Sequence, residues 1–229
     1  MKRKIAAQLE RELAETRRTL PVFDQLGGLF TDPDMFRSVD HYSAEGFAII
    51  ARHPAKMMCG RHKRVKGYVL KKFNDRFPKS QLVNYLRRIE GARLLRRFIE
   101  EHSFTRVTAP KKWLYQLPSD FPQRYLLVAE RFDLRSKEKS ESRYDRIDKE
   151  QLRELATILY YFRGLNSTLS NLPYTEDGQI AFIDTERWDN DKDFLEKVGD
   201  RISRERRVLA KAVYKELKGH GARPYASAF

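Results

Sequence analysis

The chain has 229 residues, 41% hydrophobic and 34% charged, which is long enough for a folded core and too apolar for a disordered protein. A single cysteine excludes an internal disulfide, and the short apolar runs predict neither a membrane span nor a signal peptide. The formal charge of +14 either favours an anionic partner or reflects lysines and arginines that only solvate helix faces.

The first third of the chain predicts a helix followed by two strands. Apolar residues recur every fourth position over residues 2–20, which indicates a helix. Glycines and a proline break residues 22–39 into turns and a short helix. Strands are predicted over residues 46–51 and 67–73, with a loop over residues 54–60 between them.

The strand over residues 67–73 carries a lysine among apolar neighbours. Because side chains alternate between the two faces of a strand, Lys71 shares a face with Val69 and Phe73. A lysine in this position either keeps an edge strand soluble or serves a site. The sequence alone leaves both roles open.

Residues 80–102 form the clearest predicted helix, and its apolar stripe contains one carboxylate. Glu90 lies four residues from an apolar residue on either side. A carboxylate on a face that is otherwise buried needs a cation. That cation is either a functional partner elsewhere in the chain or an arginine of the same helix, namely Arg87, Arg93 or Arg97.

The middle of the chain predicts further strands and then a boundary. Residues 106–116 predict one strand, or two joined by a turn, and the apolar run 125–130 predicts a buried strand that ends at Glu130. Residues 135–148 are charged and contain serines, which indicates an exposed connector between two lobes.

The last part of the chain predicts two helices on either side of a hairpin. The helices cover residues 148–162 and 191–218. Between them, Asn171 and Asp184 stand at opposite ends of a turn and a short strand over residues 179–183. A hairpin of this kind brings one amide and one carboxylate together at its open end.

We therefore predict three parts in the chain. Residues 1–40 form an N-terminal helical extension, residues 41–134 form a sheet with a helix, and residues 135–229 form a small helical part. The fold class is α+β.

The order of Lys71, Glu90, Glu130 and the hairpin resembles the protein-kinase-like superfamily. The resemblance covers residues 45–188 and implies two lobes, one with a small antiparallel sheet and one minimal and helical. It is carried by Val69-Leu70-Lys71, by the 19-residue separation of Lys71 from Glu90, and by the hairpin ending in Asp184. Ile183-Asp184-Thr185-Glu186 is more similar to the aminoglycoside- and choline-kinase-like branches than to Asp-Phe-Gly.

The resemblance implies a role for each of these residues. Lys71 would contact the phosphates of ATP and pair with Glu90, and Val69 and Glu130 would lie beside the nucleotide where the strand enters the adenine-holding hinge. Two further residues, Asn171 and Asp184, would supply oxygen ligands to magnesium.

The chain departs from the superfamily pattern at three places. Asn166 occupies the position of the expected catalytic Asp, and an amide cannot accept the proton of an attacking hydroxyl. The glycine-rich loop before Lys71 is missing, so that phosphates would instead meet the basic residues 61–66. Asp184 is not followed by an activation segment, which leaves a minimal second lobe.

Two functions are expected from the sequence. The resemblance implies a kinase-like protein that binds ATP and magnesium and transfers a phosphate or nucleotidyl group to an unknown protein or small molecule, or that acts as a pseudokinase. The alternative is a non-enzymatic basic adaptor that binds RNA or an acidic membrane or protein surface through residues 61–76 and 201–211. We expect a cytoplasmic protein or one delivered into another cell.

Overall fold

A computed structural model describes residues 2–29, 47–52, 57–62, 64–73, 78–119, 124–162, 165, 169–186 and 202–221. Its α-helices are α1 Lys2–Thr19, α2 Phe23–Leu29, α3 Pro78–Glu101, α4 Lys137–Tyr144, α5 Lys149–Tyr161 and α6 Arg204–Gly219. Its strands are β1 Phe47–Arg52, β2 Met57–His62, β3 Tyr68–Phe73, β4 Val107–Thr108, β5 Lys112–Gln116, β6 Tyr125–Glu130 and β7 Ile180–Ala181. Helices combined with an antiparallel sheet confirm the predicted α+β class.

Five of the strands form one antiparallel sheet in the order β1-β2-β3-β6-β5. Strand β2 corrects the predicted loop over residues 54–60, because Met57 pairs with Phe73 and Gly60 with Leu70. The sequence of β2 has no clear alternation, and its backbone hydrogen bonds to strands on both sides hold it extended. Strands β4 and β7 form a separate parallel pair.

The chain divides into two compact units, residues 1–89 with 111–131, and residues 90–110 with 132–229. The division into three predicted parts stays a prediction. Helix α1 belongs to the first unit, where the Trp113 Nε1–H of β5 donates to Thr19 Oγ1 at 3.0 Å. The second half of α3 belongs to the second unit, whose core it joins through Phe98.

In the first unit, both faces of the sheet carry buried apolar residues. One face contributes Leu70, Leu126 and Val128 to a cluster with the α2 residues Leu26 and Leu29. The other face contributes a smaller group that packs with the first half of α3, namely Leu114, Leu127, Tyr85, Leu86 and Ile89. Because paired antiparallel residues share a face, Lys71, which pairs with Leu127, lies on this second face.

In the second unit, α4 replaces the exposed connector predicted over residues 135–148. Ser136 caps the helix by accepting from the Lys139 N–H. Tyr144 and Ile147 are buried three residues apart, and the Tyr144 hydroxyl donates to the Leu172 carbonyl at 2.6 Å. The buried Tyr144 and Ile147 thus hold this otherwise charged segment against the core.

Helix α6 also differs from the prediction of one helix over residues 191–218. Ser203 has an extended backbone, with ψ of 159°, and its side chain accepts from the Arg206 N–H, so that a new helix begins at Arg204. Residues 187–201 lie outside the described part of the chain. Across the described residues, no helix has the length and apolar character needed to cross a membrane.

Two buried tyrosines of the second unit predict a loss of stability at alkaline pH. Burial raises the pKa of Tyr144 and of Tyr174. An unfolded chain ionises tyrosine at a pKa of about 10, so the stability that these residues contribute is complete below about pH 10 and is lost as the pH rises further. We expect a slope of about 1.4 kcal/mol per pH unit for each tyrosine above its unfolded pKa.

Urea unfolding at several values between pH 8 and pH 11 measures this slope. Tyr144→Phe lowers stability at neutral pH, because the Leu172 carbonyl loses its donor, but it makes the alkaline slope shallower. Identical slopes in the two proteins would contradict the assignment.

Candidate functional site

The predicted hairpin is present in the second unit, and it brings Asn171 beside the end of the strand. Asn171 ends a 3₁₀ turn over Leu169–Asn171, and its backbone carbonyl accepts from the Ile183 N–H at 3.1 Å. One step further in, the Pro173 carbonyl accepts from the Ala181 N–H at 2.9 Å. Asn171 is therefore held next to Asp184 at the open end of the hairpin, although the regular strand β7 is shorter than predicted.

The closed end of the hairpin is a tight turn that needs glycine. The Thr175 carbonyl accepts from the Gly178 N–H at 3.0 Å, and Gly178 has a φ of +96°, which side-chain-bearing residues rarely adopt. The Arg143 guanidinium of α4 lies 4.9 Å from the centre of the Tyr174 ring and would be 2.9 Å from a Cβ at Gly178. Arg143 therefore covers the turn from outside.

The segment after the hairpin has a fixed conformation around Asp184. The carboxylate oxygen Oδ1 of Asp184 accepts from the Glu186 N–H at 3.1 Å. The two following residues, Thr185 and Glu186, are 0% and 2% exposed. The Glu186 N–H thus holds one carboxylate oxygen of Asp184, and the two residues that follow Asp184 are buried.

Gly91 explains how this segment packs against α3. A Cβ at Gly91 would lie only 2.1 Å from the Thr185 carbonyl oxygen, so that the backbone of residue 185 occupies the space of a side chain. The Asp184 segment therefore lies directly against α3, one residue along the helix from Glu90. Sequence reasoning missed Gly91, although a glycine inside a strongly helical pattern is a signal of close backbone approach.

Glu90 has an ion pair with an arginine of its own helix. Its Oε2 lies 3.1 Å from Arg93 Nη1, three residues along α3, and the Glu90 side chain is 20% exposed. This is one of the two pairings that the sequence left open. The pairing of Glu90 with Lys71 stays a prediction.

A buried glutamine holds the hairpin in place. Gln151 of α5 is 3% exposed, and its Nε2 donates to the carbonyls of Arg106 and Gly178, each at 3.0 Å. Its Oε1 accepts from the Tyr174 hydroxyl at 3.2 Å. One side chain thus joins α5, the chain before β4, and the first arm and the turn of the hairpin. Sequence reasoning missed this residue, which is polar within a predicted apolar helix.

Glu154, one turn further along α5, anchors the same region. Its two carboxylate oxygens accept from the Thr105 and Arg106 N–H groups at 3.1 and 2.8 Å. Burial raises the pKa of Glu154, and these two hydrogen bonds oppose the rise. The entry to β4, which pairs with β7 of the hairpin, is fixed by this carboxylate.

In the first unit, Lys71 shares a sheet face with a second lysine. Lys71 pairs with Cys59 of β2, and it shares a face with Val69, two residues earlier in β3. Val69 pairs with Ala129 of β6, which in turn pairs with Lys112 of β5. Because paired residues share a face, Lys112 lies on the same face as Lys71. Burial raises the pKa of the Cys59 thiol, and the charges of Lys71 and Lys112 oppose the rise. Both ammonium groups therefore lie within electrostatic reach of Cys59.

Glu130 is fixed at the end of β6. Its Oε2 accepts from the Lys111 N–H at 2.8 Å, and its own N–H donates to the Lys111 carbonyl at 3.0 Å. The next N–H, that of Arg131, donates to the Gly67 carbonyl at 2.8 Å. The adenine-contacting role expected for Val69 and Glu130 stays a prediction.

The basic regions of the alternative function are only partly exposed. In the first region Arg61, Arg64 and Lys66 are exposed, but Lys72 is 4% exposed. In the second region, Arg206 and Arg207 donate to the backbone carbonyls of Ile147 and Ile202, at 2.5 and 3.2 Å.

Asn166 lies outside the described residues, as do residues 63 and 74–76 of the first basic region and residue 201 of the second. Within the residues that the structure does describe, no three His, Cys, Asp or Glu side chains cluster in a way that would hold a metal. Magnesium does not require such a cluster, because it commonly takes one or two protein ligands together with substrate phosphates. An amide oxygen and a carboxylate, as at Asn171 and Asp184, fit that preference.

The sequence matches no protein-family model and no curated protein. Among solved structures, a MAP kinase from Leishmania major matches with 12% sequence identity and a TM-score of 0.37. The match covers 72% of this chain and 50% of that one, so that the chain spans about half the length of the kinase. A TM-score this low does not establish a shared fold, and the comparison does not select the aminoglycoside- or choline-kinase-like branches.

The contact at Gly91 predicts a specific sensitivity to a single methyl group. Gly91→Ala forces the Thr185 backbone away from α3, which we expect to cost about 3 kcal/mol, near the upper end of what overpacking usually costs. Gly28→Ala in α2 is the matched control, because a Cβ there meets nothing within 4 Å and alanine favours a helix. Urea unfolding of both variants measures the difference, and equal stabilities would contradict the packing at Gly91.

Proposed function

We propose that the chain is a kinase-like protein that binds ATP with magnesium through Asn171 and Asp184. In this proposal the chain transfers phosphate to a protein or small-molecule acceptor only weakly, because Asn166 replaces the expected base. The proposal rests on the resemblance of the sequence to the protein-kinase-like superfamily. The geometry of the hairpin supports the part of the proposal that concerns magnesium binding.

The observation that carries the proposal is the packing of the hairpin's open end. Asn171 and Asp184 are held together by the hydrogen bond from the Ile183 N–H to the Asn171 carbonyl and by the packing of the Thr185 backbone against Gly91. All of these residues belong to the second unit. Both side chains are partly exposed, while the residues that follow Asp184 are buried. A rigid backbone that presents two oxygen-bearing side chains towards solvent suits a divalent cation.

The residues of the hairpin would act by position and charge. Phosphoryl transfer depends mainly on positioning and on neutralising charge, and bound magnesium would supply that neutralisation. Asp184 is oriented by the Glu186 N–H, and Asn171 by its place at the end of the 3₁₀ turn. Lys71 belongs to the first unit and is proposed to contact phosphate on the strength of the resemblance alone.

Magnesium-dependent stabilisation by ATP tests the proposal. A ligand at 100 times its dissociation constant stabilises a protein by about 2.7 kcal/mol, which for a chain of this size raises the Tm by about 5 to 10 °C. We expect this rise with ATP and magnesium and not with ATP and EDTA. Asp184→Asn should abolish it, because the amide still accepts from Glu186 but lacks the charge, and Lys71→Met should abolish it too.

Asp177→Asn is the matched control for Asp184→Asn. Asp177 is exposed in the turn at the other end of the same hairpin, and its replacement removes the same charge. We expect the control to keep the full ATP-dependent rise. A wild-type chain whose Tm is unmoved over a wide range of ATP concentrations would remove the nucleotide-binding proposal.

The proposal that Asn166 makes phosphate transfer weak can be tested by placing a carboxylate at residue 166. A general base typically contributes at least 100-fold, so we expect Asn166→Asp to raise ATP hydrolysis by about 100-fold over wild type. Asn84→Asp on α3 adds the same charge elsewhere and should leave the rate unchanged. If Asn166→Asp hydrolyses ATP at the wild-type rate, residue 166 does not stand at the position of the base.

A further inference from the structure

The outward face of α6 carries a continuous line of cations. They are spaced three or four residues apart and all are exposed: Arg204, Arg207, Lys211, Lys215 and Lys218, here named the α6 basic stripe. At 3.6 residues per turn these five positions fall within about 80° of the helix circumference. They extend over about 21 Å of the helix axis.

The opposite face of α6 packs in the second unit, which leaves the stripe pointing outward. Ala210 and Val213, on the opposite side of the helix, are buried in the core that also contains α5. The acidic Glu216 lies on a flank and pairs with Arg153 of α5 at 2.9 Å. No carboxylate of α6 falls within the arc of the stripe.

The stripe is anchored at its N-terminal end. Ser203 caps the helix, and the Arg207 Nε–H donates to the Ile202 carbonyl at 3.2 Å. Two short exposed side chains, Val208 and Ala212, flank the stripe on the same side as Glu216. The cap fixes the start of the helix, and the short side chains beside the stripe leave its charges exposed as a single line.

We propose that the α6 basic stripe binds the phosphate backbone of a nucleic acid without regard to sequence. One strand of duplex DNA carries a phosphate every 3.4 Å along its axis, so a 21 Å line of charge spans about six phosphates of a strand. Lysine and arginine bind phosphate by charge and by hydrogen bonds to its oxygens. The diameter of an α-helix also matches the width of the major groove.

A lipid surface fits this helix less well. Helices that lie on bilayers bury an apolar face among the headgroups. The apolar face of α6 is already packed in the protein core, and Val208, 62% exposed, is the one large apolar side chain on its outer surface. A narrow line of charge suits a strand of phosphates better than a plane of headgroups.

The test compares two triple-lysine variants of the full chain. Lys211, Lys215 and Lys218 are replaced by Gln in the stripe variant. Lys137, Lys139 and Lys149, which are exposed in and near α4, are replaced by Gln in the control, so that both proteins lose three charges. Binding of fluorescein-labelled 20-nucleotide single-stranded RNA and of 20-base-pair duplex DNA is measured by anisotropy between 50 and 200 mM salt.

We expect wild type to bind at least one of the two probes, with a log–log salt slope of about −4.5 for five duplex phosphate contacts or about −3.5 on a single strand. The stripe variant should have a slope smaller by two to three, about 1 for each lysine, and the control should bind as wild type does. Equal losses in both variants, no binding of wild type at 50 mM salt, or binding to phosphatidylserine vesicles but to neither oligonucleotide would overturn the proposal.

The stripe and the proposed magnesium site are independent. The stripe variant should keep its Tm rise with ATP and magnesium, while Asp184→Asn should keep its affinity for the oligonucleotide. The failure of one proposal can therefore be distinguished from the failure of the other.

Discussion

The close approach of the Thr185 backbone to Gly91 is the contact on which the candidate site depends. A methyl group at residue 91 would overlap the Thr185 carbonyl, so α3 and the Asp184 segment can pack at this distance only with glycine. This contact fixes Asp184 from one side, and the hydrogen bond from Ile183 to Asn171 fixes its neighbour from the other. The backbone positions of Asn171 and Asp184 thus follow from one backbone hydrogen bond and from the packing at Gly91.

A network of buried polar side chains holds the hairpin that carries Asn171 and Asp184. Gln151 and Glu154 of α5 satisfy backbone groups around β4 and the turn, and Tyr144 of α4 donates to Leu172 directly after Asn171. Buried polar groups are costly unless they are satisfied, so such a network favours a single conformation of the hairpin. Its members come from separate helices, so that the fold of the second unit and the geometry of the site depend on the same bonds.

The sequence predicted those elements whose pattern is local. Periodic apolar residues were enough to predict α1, α3 and α5, a continuous apolar run was enough to predict β6, and the turn residues were enough to predict the hairpin. Strand β2 was missed because its extended backbone is held by its neighbours, and α4 because two buried residues, Tyr144 and Ile147, are hidden among charges.

Within the site, too, local features could be predicted from the sequence and long-range contacts could not. Asn171 and Asp184 could be paired from their spacing around a turn, since hairpin geometry is local. Gly91 and Gln151 could not be given their roles, because each acts on residues tens of positions away along the chain. Glu90 shows the limit most clearly, because helical spacing offered three arginines, and the ion pair with Arg93 could be identified only from the structure.

Binding of magnesium and nucleotide at the open end of the hairpin is the central claim, and a paramagnetic ion tests it most directly. Manganese replaces magnesium in ATP sites and broadens the NMR signals of nearby nuclei. In a ¹⁵N-labelled protein with ATP, substoichiometric manganese should first broaden the Asn171 side-chain amide and the backbone amides of Ile183 to Glu186. The amides of Glu176 to Gly178, at the closed end, should stay sharp. Broadening that is absent at Asn171, or that appears first at the turn, would contradict the proposed site.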